Sequence, residues 1–396
     1  MSTQVLNDKA SAEKTLVDVT AKPKSERNMG VELFRVISML LVVCLHILGR
    51  GGVVSATDHL SVNYKLAHYL QILTYCSVNC YALISGFANV KTEFKFRRFF
   101  HLWLETVFLL TATNAVVYFF VPAVDFQSRW WIAGIFPLIK RELWYLCAYF
   151  FMYPLLPMLN KGMLALKQWQ HVAVMLMLQA PAVFRLIEGT DNYVLGGGYS
   201  AIWLVCLYVM GAYFRIYGAP KWAKWFVTLP AFFLTALVAW LFKIVPETMV
   251  QNETLDKTSE WYTARGGLIS YISPCMVIMA VMLLLFFMQL KIKAKIPRRL
   301  IAEFGASTWG VFVIHVAAAF WYWWPFWNSF KKFSDYSAVG MLFAVLGSAL
   351  LVYTVLSLFS IARRHLFKLC RVSQGVDYLI ALPQKLLSRV RDKNKA

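Results

Sequence analysis

Charge is scarce in this sequence, and acidic charge scarcest: 20 Asp and Glu stand against 40 Lys and Arg in 396 residues, and charged residues make up only 15% of the chain. An ordinary soluble domain carries about 25% charged and about 45–50% apolar residues. The 59% hydrophobic content here excludes a water-soluble fold. A secretory leader is also lacking. Positions 1–29 are polar, with no apolar core and no small-residue cleavage site, and read as a retained tail. The seven cysteines (Cys44, Cys76, Cys80, Cys147, Cys206, Cys275, Cys370) lack zinc-ligand spacing and mostly fall in or beside apolar runs, which marks them as packing residues and leaves no metal site. No Walker motif, internal repeat or soluble domain is found. Gly196–Gly198 lacks the strand-to-helix context of a phosphate loop.

In place of charge there are long apolar runs. Val31–Leu48, Phe99–Val121, Phe226–Val245 and Ala338–Ile361 are almost uncharged, and about 20 helical residues cross a hydrocarbon core about 30 Å thick. Within lipid each backbone amide must bond inside its own segment, and barrel strands are shorter and alternate in polarity. The fold class expected is therefore all-α, a polytopic membrane bundle of ten helices near 31–49, 66–90, 99–121, 142–160, 169–187, 199–217, 224–245, 266–290, 302–326 and 338–361. That divides the chain into a polar tail (1–30), a transmembrane domain (31–361) and a basic amphipathic tail (362–396) lying on the inner surface and interrupted at Pro383.

An even number of spans puts both termini on one side. If that side is the cytoplasm, it collects 29 of the 40 Lys and Arg and the opposite side 11, so the positive-inside rule predicts an N-in, C-in protein of the cell membrane. The formal charge of +20 then reflects topology and anionic lipid headgroups, not nucleic acid. The densest internal basic runs, 91–98 (KTEFKFRR) and 291–299 (KIKAKIPRR), fall on the inner face. Outside, the loops near 188–198 and 246–265 carry Glu188, Asp191, Glu247, Glu253, Asp256 and Glu260 with Tyr193, Trp261 and Tyr262. Aromatic rings beside carboxylates suit a sugar, and they equally suit an interfacial belt.

Ionisable residues inside a bilayer are costly and are functional candidates for that reason. The first helix holds Glu32, Arg35 and His46. Eleven steps of about 100° bring Arg35 and His46 to within about 20° of one another, on one helical face, with heights about 16 Å apart. Glu32, three before Arg35, is placed to pair with it. A neutral imidazole can take a proton from a hydroxyl near pH 7; a structural histidine bonded across two helices is the alternative. Glu105, in the third span, is expected to pair with the basic run or the first helix.

The pattern Glu32-x-x-Arg35-x10-His46 resembles the first-helix signature of the bacterial membrane acyltransferase-3 family. Further elements follow in that family's order: Leu83-Ile-Ser-Gly-Phe87 is similar to its SGF motif, and Lys95-Phe-Arg97-Arg98 stands where its R-x-x-R motif does. Glu142-Leu-Trp-Tyr-Leu146 with Tyr153-Pro-Leu-Leu-Pro157 is similar to its LWYL and LLP pattern, and Gly310-Val-Phe-Val-Ile-His315 to its late G-x-x-x-I-H element. The resemblance implies about ten membrane helices, standing here without an appended domain. It also implies transfer of an acyl group, commonly acetyl, from cytoplasmic acyl-CoA to a hydroxyl of a cell-surface glycan or lipid-linked saccharide. No bound cofactor is implied, acyl-CoA being a co-substrate. The resemblance makes His46 the catalytic residue with Arg35 as its partner, and Lys95, Arg97 and Arg98 a donor-binding element. Lysine at the first R-x-x-R position keeps the charge but not the bidentate fork. Glu142, Trp144, Tyr145, His315 and Glu105 are candidates for the acceptor side or the cavity wall. A transporter or flippase of a lipid-linked saccharide, or a membrane sensor without turnover, shares the same gross features, although no inverted repeat or pair of broken helices supports transport.

Overall fold

The computed structural model describes residues 28–393 except 123, 141, 142 and 190, with side chains left out at 139, 140 and 383–393. The N-terminal tail up to residue 27 and Glu142 therefore lie outside the described residues. Among the described residues there is no strand, and the chain is all-α.

The first helix, α1 (Met29–Gly49), starts at Asn28, whose side chain accepts from the amides of Gly30 and Val31, with Glu32 in the positive first turn. Next come α2 (Val62–Tyr75), α3 (Ser77–Asn89) and α4 (Phe96–Phe120). Then follow α5 (Trp144–Met152) and α6 (Leu156–Ala165), joined by a 3-10 turn at Tyr153–Leu155. The long α7 (Gln168–Glu188) ends at Gly189, φ 73°. After it stand α8 (Ala201–Tyr217), α9 (Trp225–Gln251), α10 (Pro274–Met288), α11 (Lys295–His315), α12 (Ala338–Leu369) and α13 (Val372–Lys393).

Six segments are long and apolar enough to cross a membrane: α1 extended to Ala56, α2 with α3, α4, α7, α9 and α12. The shorter α8 and α10 are apolar as well. Several expected boundaries move, for identifiable reasons. The span expected at 142–160 bends through Tyr153–Leu155, where Pro154 and Pro157 remove amide donors. The span expected at 302–326 instead begins at Lys295 and stops at His315. The aromatic stretch beyond it folds into the short helices Ala318–Trp321 and Trp324–Asn328, with Trp327 buried. Pro246 does not open a loop, because α9 runs on to Gln251, and α13 continues through Pro383 without interruption. A proline removes one amide donor, and long helices absorb that loss elsewhere too, at Pro181 and Pro230.

The centre of the bundle is α1, which packs on α2, α3, α10, α11 and α12. Phe34 is fully buried and stacks on Phe287 at 5.1 Å, and Val43, Ile47 and Leu48 are fully buried in a second apolar cluster further along the helix. Helices α3 and α8 cross closely. A β-carbon at Gly86 would lie 2.0 Å from the Tyr208 carbonyl oxygen, and one at Gly211 would lie 2.0 Å from that of Leu83. Small residues let membrane helices touch backbone to backbone, so the glycine of Ser85-Gly86-Phe87 is a packing residue. At the periphery, α7 exposes Leu176, Met177 and Ile187, and α9 exposes Phe226, Leu234 and Val238, the apolar faces a lipid contact needs.

Candidate active site

A cavity of about 730 Å³ lies among α1, α3, α4, α5 and α11. Both Arg35 and His46 are on its wall, as their shared helical face requires. The volume is within the roughly 300–1,000 Å³ of small-molecule sites.

Towards the start of α1 the wall is polar. Arg35 Nη1 donates to Glu32 Oε2 at 3.2 Å, the pair the sequence spacing anticipates, and Tyr81 Oη donates to the Arg35 carbonyl at 2.9 Å. Ser85 and Asn89 on α3 and Glu105 on α4 continue this wall. The partner of Glu105 is neither the basic run nor the first helix. It is Arg363, late in α12. That pairing became available only because α12 extends eight residues beyond the expected 361 and lays its basic end against α4 and α11, where Arg364 also meets Glu303 at 2.5 Å.

The other end of the cavity is aromatic. His46 Nδ1 lies 3.0 Å from His315 Nε2, and the edge of Trp321 meets the His46 ring with centroids 4.9 Å apart. His315, the last residue of α11, is fully buried, and its Nδ1 lies 2.6 Å from the Val311 carbonyl oxygen. One turn past His46, Arg50 donates twice to the Trp321 carbonyl, at 2.8 and 3.3 Å, and its guanidinium sits 3.9 Å over the Trp324 ring. Trp144 and Tyr145, candidates for the cavity wall from the sequence, line the cavity, and Tyr199 and Tyr271 join them. These rings are held from behind. Asn79 donates to the Tyr271 carbonyl at 2.7 Å and accepts from Trp203 Nε1 at 3.1 Å.

The basic residues anticipated at the donor end stay off the cavity wall. Lys95 precedes α4, and Arg97 and Arg98 lie in its first turn, all exposed. Arg97 is engaged by the tail helix, through an ion pair with Asp377 and a 3.0 Å bond to Ser373 Oγ. Two of the carboxylates expected outside are also committed. Glu247 is buried and accepts from Lys243 (2.7 Å), Arg265 (3.0 Å) and Tyr64 (3.0 Å), while Asp191 accepts from the amides of Leu195 and Gly196. Sequence reasoning missed Arg50, although it stands one helical turn after His46. It also missed Tyr81, Tyr199, Tyr271 and Trp321, which no local pattern distinguishes from belt aromatics.

The cavity thus runs between the Glu32–Arg35 ion pair at one end and His46, in contact with His315, at the other. The profile of a known family, described as an acyltransferase domain, matches residues 28–358, and the chain belongs to the acyltransferase-3 family of membrane acyltransferases. Neither a curated protein nor a solved structure matches the chain.

Proposed function

We propose that this protein is an O-acyltransferase that moves an acyl group, acetyl in the first instance, from cytoplasmic acyl-CoA to a hydroxyl of a cell-surface glycan or lipid-linked saccharide. The observation that carries the reading is one cavity with both Arg35 and His46 on its wall. On this reading the bundle has ten spans in a bacterial plasma membrane with both termini inside. The six long apolar helices support that count, together with α8, α10, α11 and the bent α5–α6 unit.

Acyl-CoA carries several negative charges and cannot enter lipid. Its phosphates are read as docking outside the cavity on Lys95, Arg97 and Arg98 while the narrow pantetheine arm passes Arg35. Three cations at the N-terminal end of α4 work against the helix dipole, a cost that a bound polyanion would offset. The thioester then reaches His46, which takes the proton of the acceptor hydroxyl as its oxygen attacks the acyl carbon. The tetrahedral intermediate collapses with cleavage of the carbon–sulfur bond, and the thiolate leaves with that proton. Trp144, Tyr199 and Tyr271 on the cavity wall supply aromatic rings for the acceptor to pack against. Purified protein in liposomes tests this with labelled acetyl-CoA and polysaccharide extracted from a strain lacking the protein. His46→Ala is expected to abolish both label transfer and acceptor-dependent CoA release; saccharide flux without CoA release would replace the enzyme by a transporter.

A further inference from the structure

The contact between His46 and His315 carries more information than proximity. His315 Nδ1 lies 2.6 Å from the carbonyl oxygen of Val311, one turn back on α11. A carbonyl can only accept, so Nδ1 bears the hydrogen. A neutral imidazole has one N–H, which leaves His315 Nε2 with its lone pair. That lone pair faces His46 Nδ1 at 3.0 Å, so His46 must donate from Nδ1. With one proton on each ring, no other arrangement satisfies both bonds. The nitrogen left without a proton is Nε2 of His46, the residue on the cavity wall.

We propose that His315 is a positioning residue that fixes His46 as the Nδ1–H tautomer, presenting Nε2 as the base. Which nitrogen of a histidine is available is set by the bond the other one makes. Here a second histidine takes the part that a carboxylate takes in a Ser-His-Asp triad. A carboxylate would add a charge inside the bundle, whereas a neutral imidazole anchored on its own helix backbone fixes the tautomer without one. The ring is held on its other side as well, because the edge of Trp321 meets His46 at 4.9 Å and Arg50 fastens the Trp321 carbonyl. In the reaction the acceptor O–H proton moves to His46 Nε2 as the new carbon–oxygen bond forms. The imidazolium keeps its Nδ1–H bonded to His315, and the CoA thiolate takes the Nε2 proton when the carbon–sulfur bond breaks. Acyl-CoA and alcohol thus become ester and CoA thiol with no net proton.

The kinetic side of this proposal rests on the acyltransferase reading, and the tautomer does not, so two measurements separate them. In the first, full-length protein labelled with ¹⁵N-histidine is examined by NMR in lipid nanodiscs, with His46 assigned by its loss in His46→Gln. The wild-type His46 is expected to show a protonated Nδ1 and an unprotonated Nε2, the reverse of the form free histidine prefers in water. In His315→Leu that preference should disappear. In the second, label transfer from acetyl-CoA to the extracted polysaccharide is compared across variants that elute as folded protein. His315→Leu, which fills space without an acceptor, should lower kcat at least about 100-fold, with KM for acetyl-CoA changed less than about twofold. His315→Gln places an amide oxygen near the former Nε2 and should stay within about 10-fold of wild type. A protonated Nε2 on wild-type His46 would overturn the proposal. So would a leucine variant within about threefold of wild type, or a glutamine variant as impaired as leucine. Failure of the wild-type protein to transfer label would overturn the acyltransferase reading instead, and the NMR result would then decide the dyad by itself.

Discussion

The two ends of the cavity solve the problem of polarity inside a membrane in opposite ways. At the Arg35 end the polar groups are ions held in pairs: Glu32 with Arg35, Glu105 with Arg363, and just beyond them Glu303 with Arg364 and Arg97 with Asp377. At the His46 end the groups are neutral and bonded, histidine to histidine to backbone carbonyl, and a nearby cation, Arg50, lies over tryptophan rings. Paired ions near a basic surface can exchange partners with an incoming polyanion. Neutral groups packed between rings hold one geometry. The contrast matches a donor that arrives charged and a reaction that needs a fixed base.

The largest effect expected from breaking this contrast is at the ionic end. Glu105→Leu leaves Arg363, only 8% exposed, without its carboxylate, and removing one partner of a buried pair costs about 3–5 kcal/mol. Thermal unfolding in detergent should show a large loss, and adding Arg363→Met should restore much of it, because a matched apolar pair carries no unpaired charge. An unchanged melting temperature for the single variant would mean that the pair is not sealed from water. Next in size is Trp321→Leu at the aromatic end. It leaves the His46–His315 bond in place and loosens the ring on its other side. The expectation is a kcat lower by about 10-fold, which is about 1.4 kcal/mol, with stability little changed. An equal loss in both quantities would make Trp321 a packing residue only. Smallest is Asp377→Asn. The Arg97–Asp377 pair is half exposed on both sides, and such pairs contribute about 0–1 kcal/mol. The melting temperature should stay put while KM for acetyl-CoA falls slightly, as Arg97 is released to phosphate; a rise in KM would show that the tail helix helps hold the donor.

Much of this arrangement is legible along α1 and little of it beyond. The shared face of Arg35 and His46 follows from helical period alone, and so does the Glu32–Arg35 pair, because both are local. The apolar runs likewise give the long helices, although α9 and α12 run six and eight residues past their expected ends. Partners across the bundle are another matter. His315 lies 269 positions from His46 and Arg363 lies 258 from Glu105, and nothing in helical period couples such distances. The bend at Pro154 and Pro157 has a local cause in the two prolines, whereas no local pattern marks the early start of α11 or the continuity of α13 through Pro383. The aromatic wall was hidden for a different reason. Tyr199 and Tyr271 resemble interfacial anchors in sequence, and only the packed bundle shows them on the cavity wall, with the Tyr271 carbonyl held by Asn79.

The central claim is that donor and acceptor use opposite ends of one cavity, and sidedness tests it most directly. Protein reconstituted in one orientation, with labelled acetyl-CoA confined to the face bearing Lys95 and Arg98 and the extracted polysaccharide confined to the other, should place label on the polysaccharide across the bilayer, and His46→Ala should place none. Label appearing only when donor and polysaccharide share a face would contradict the account.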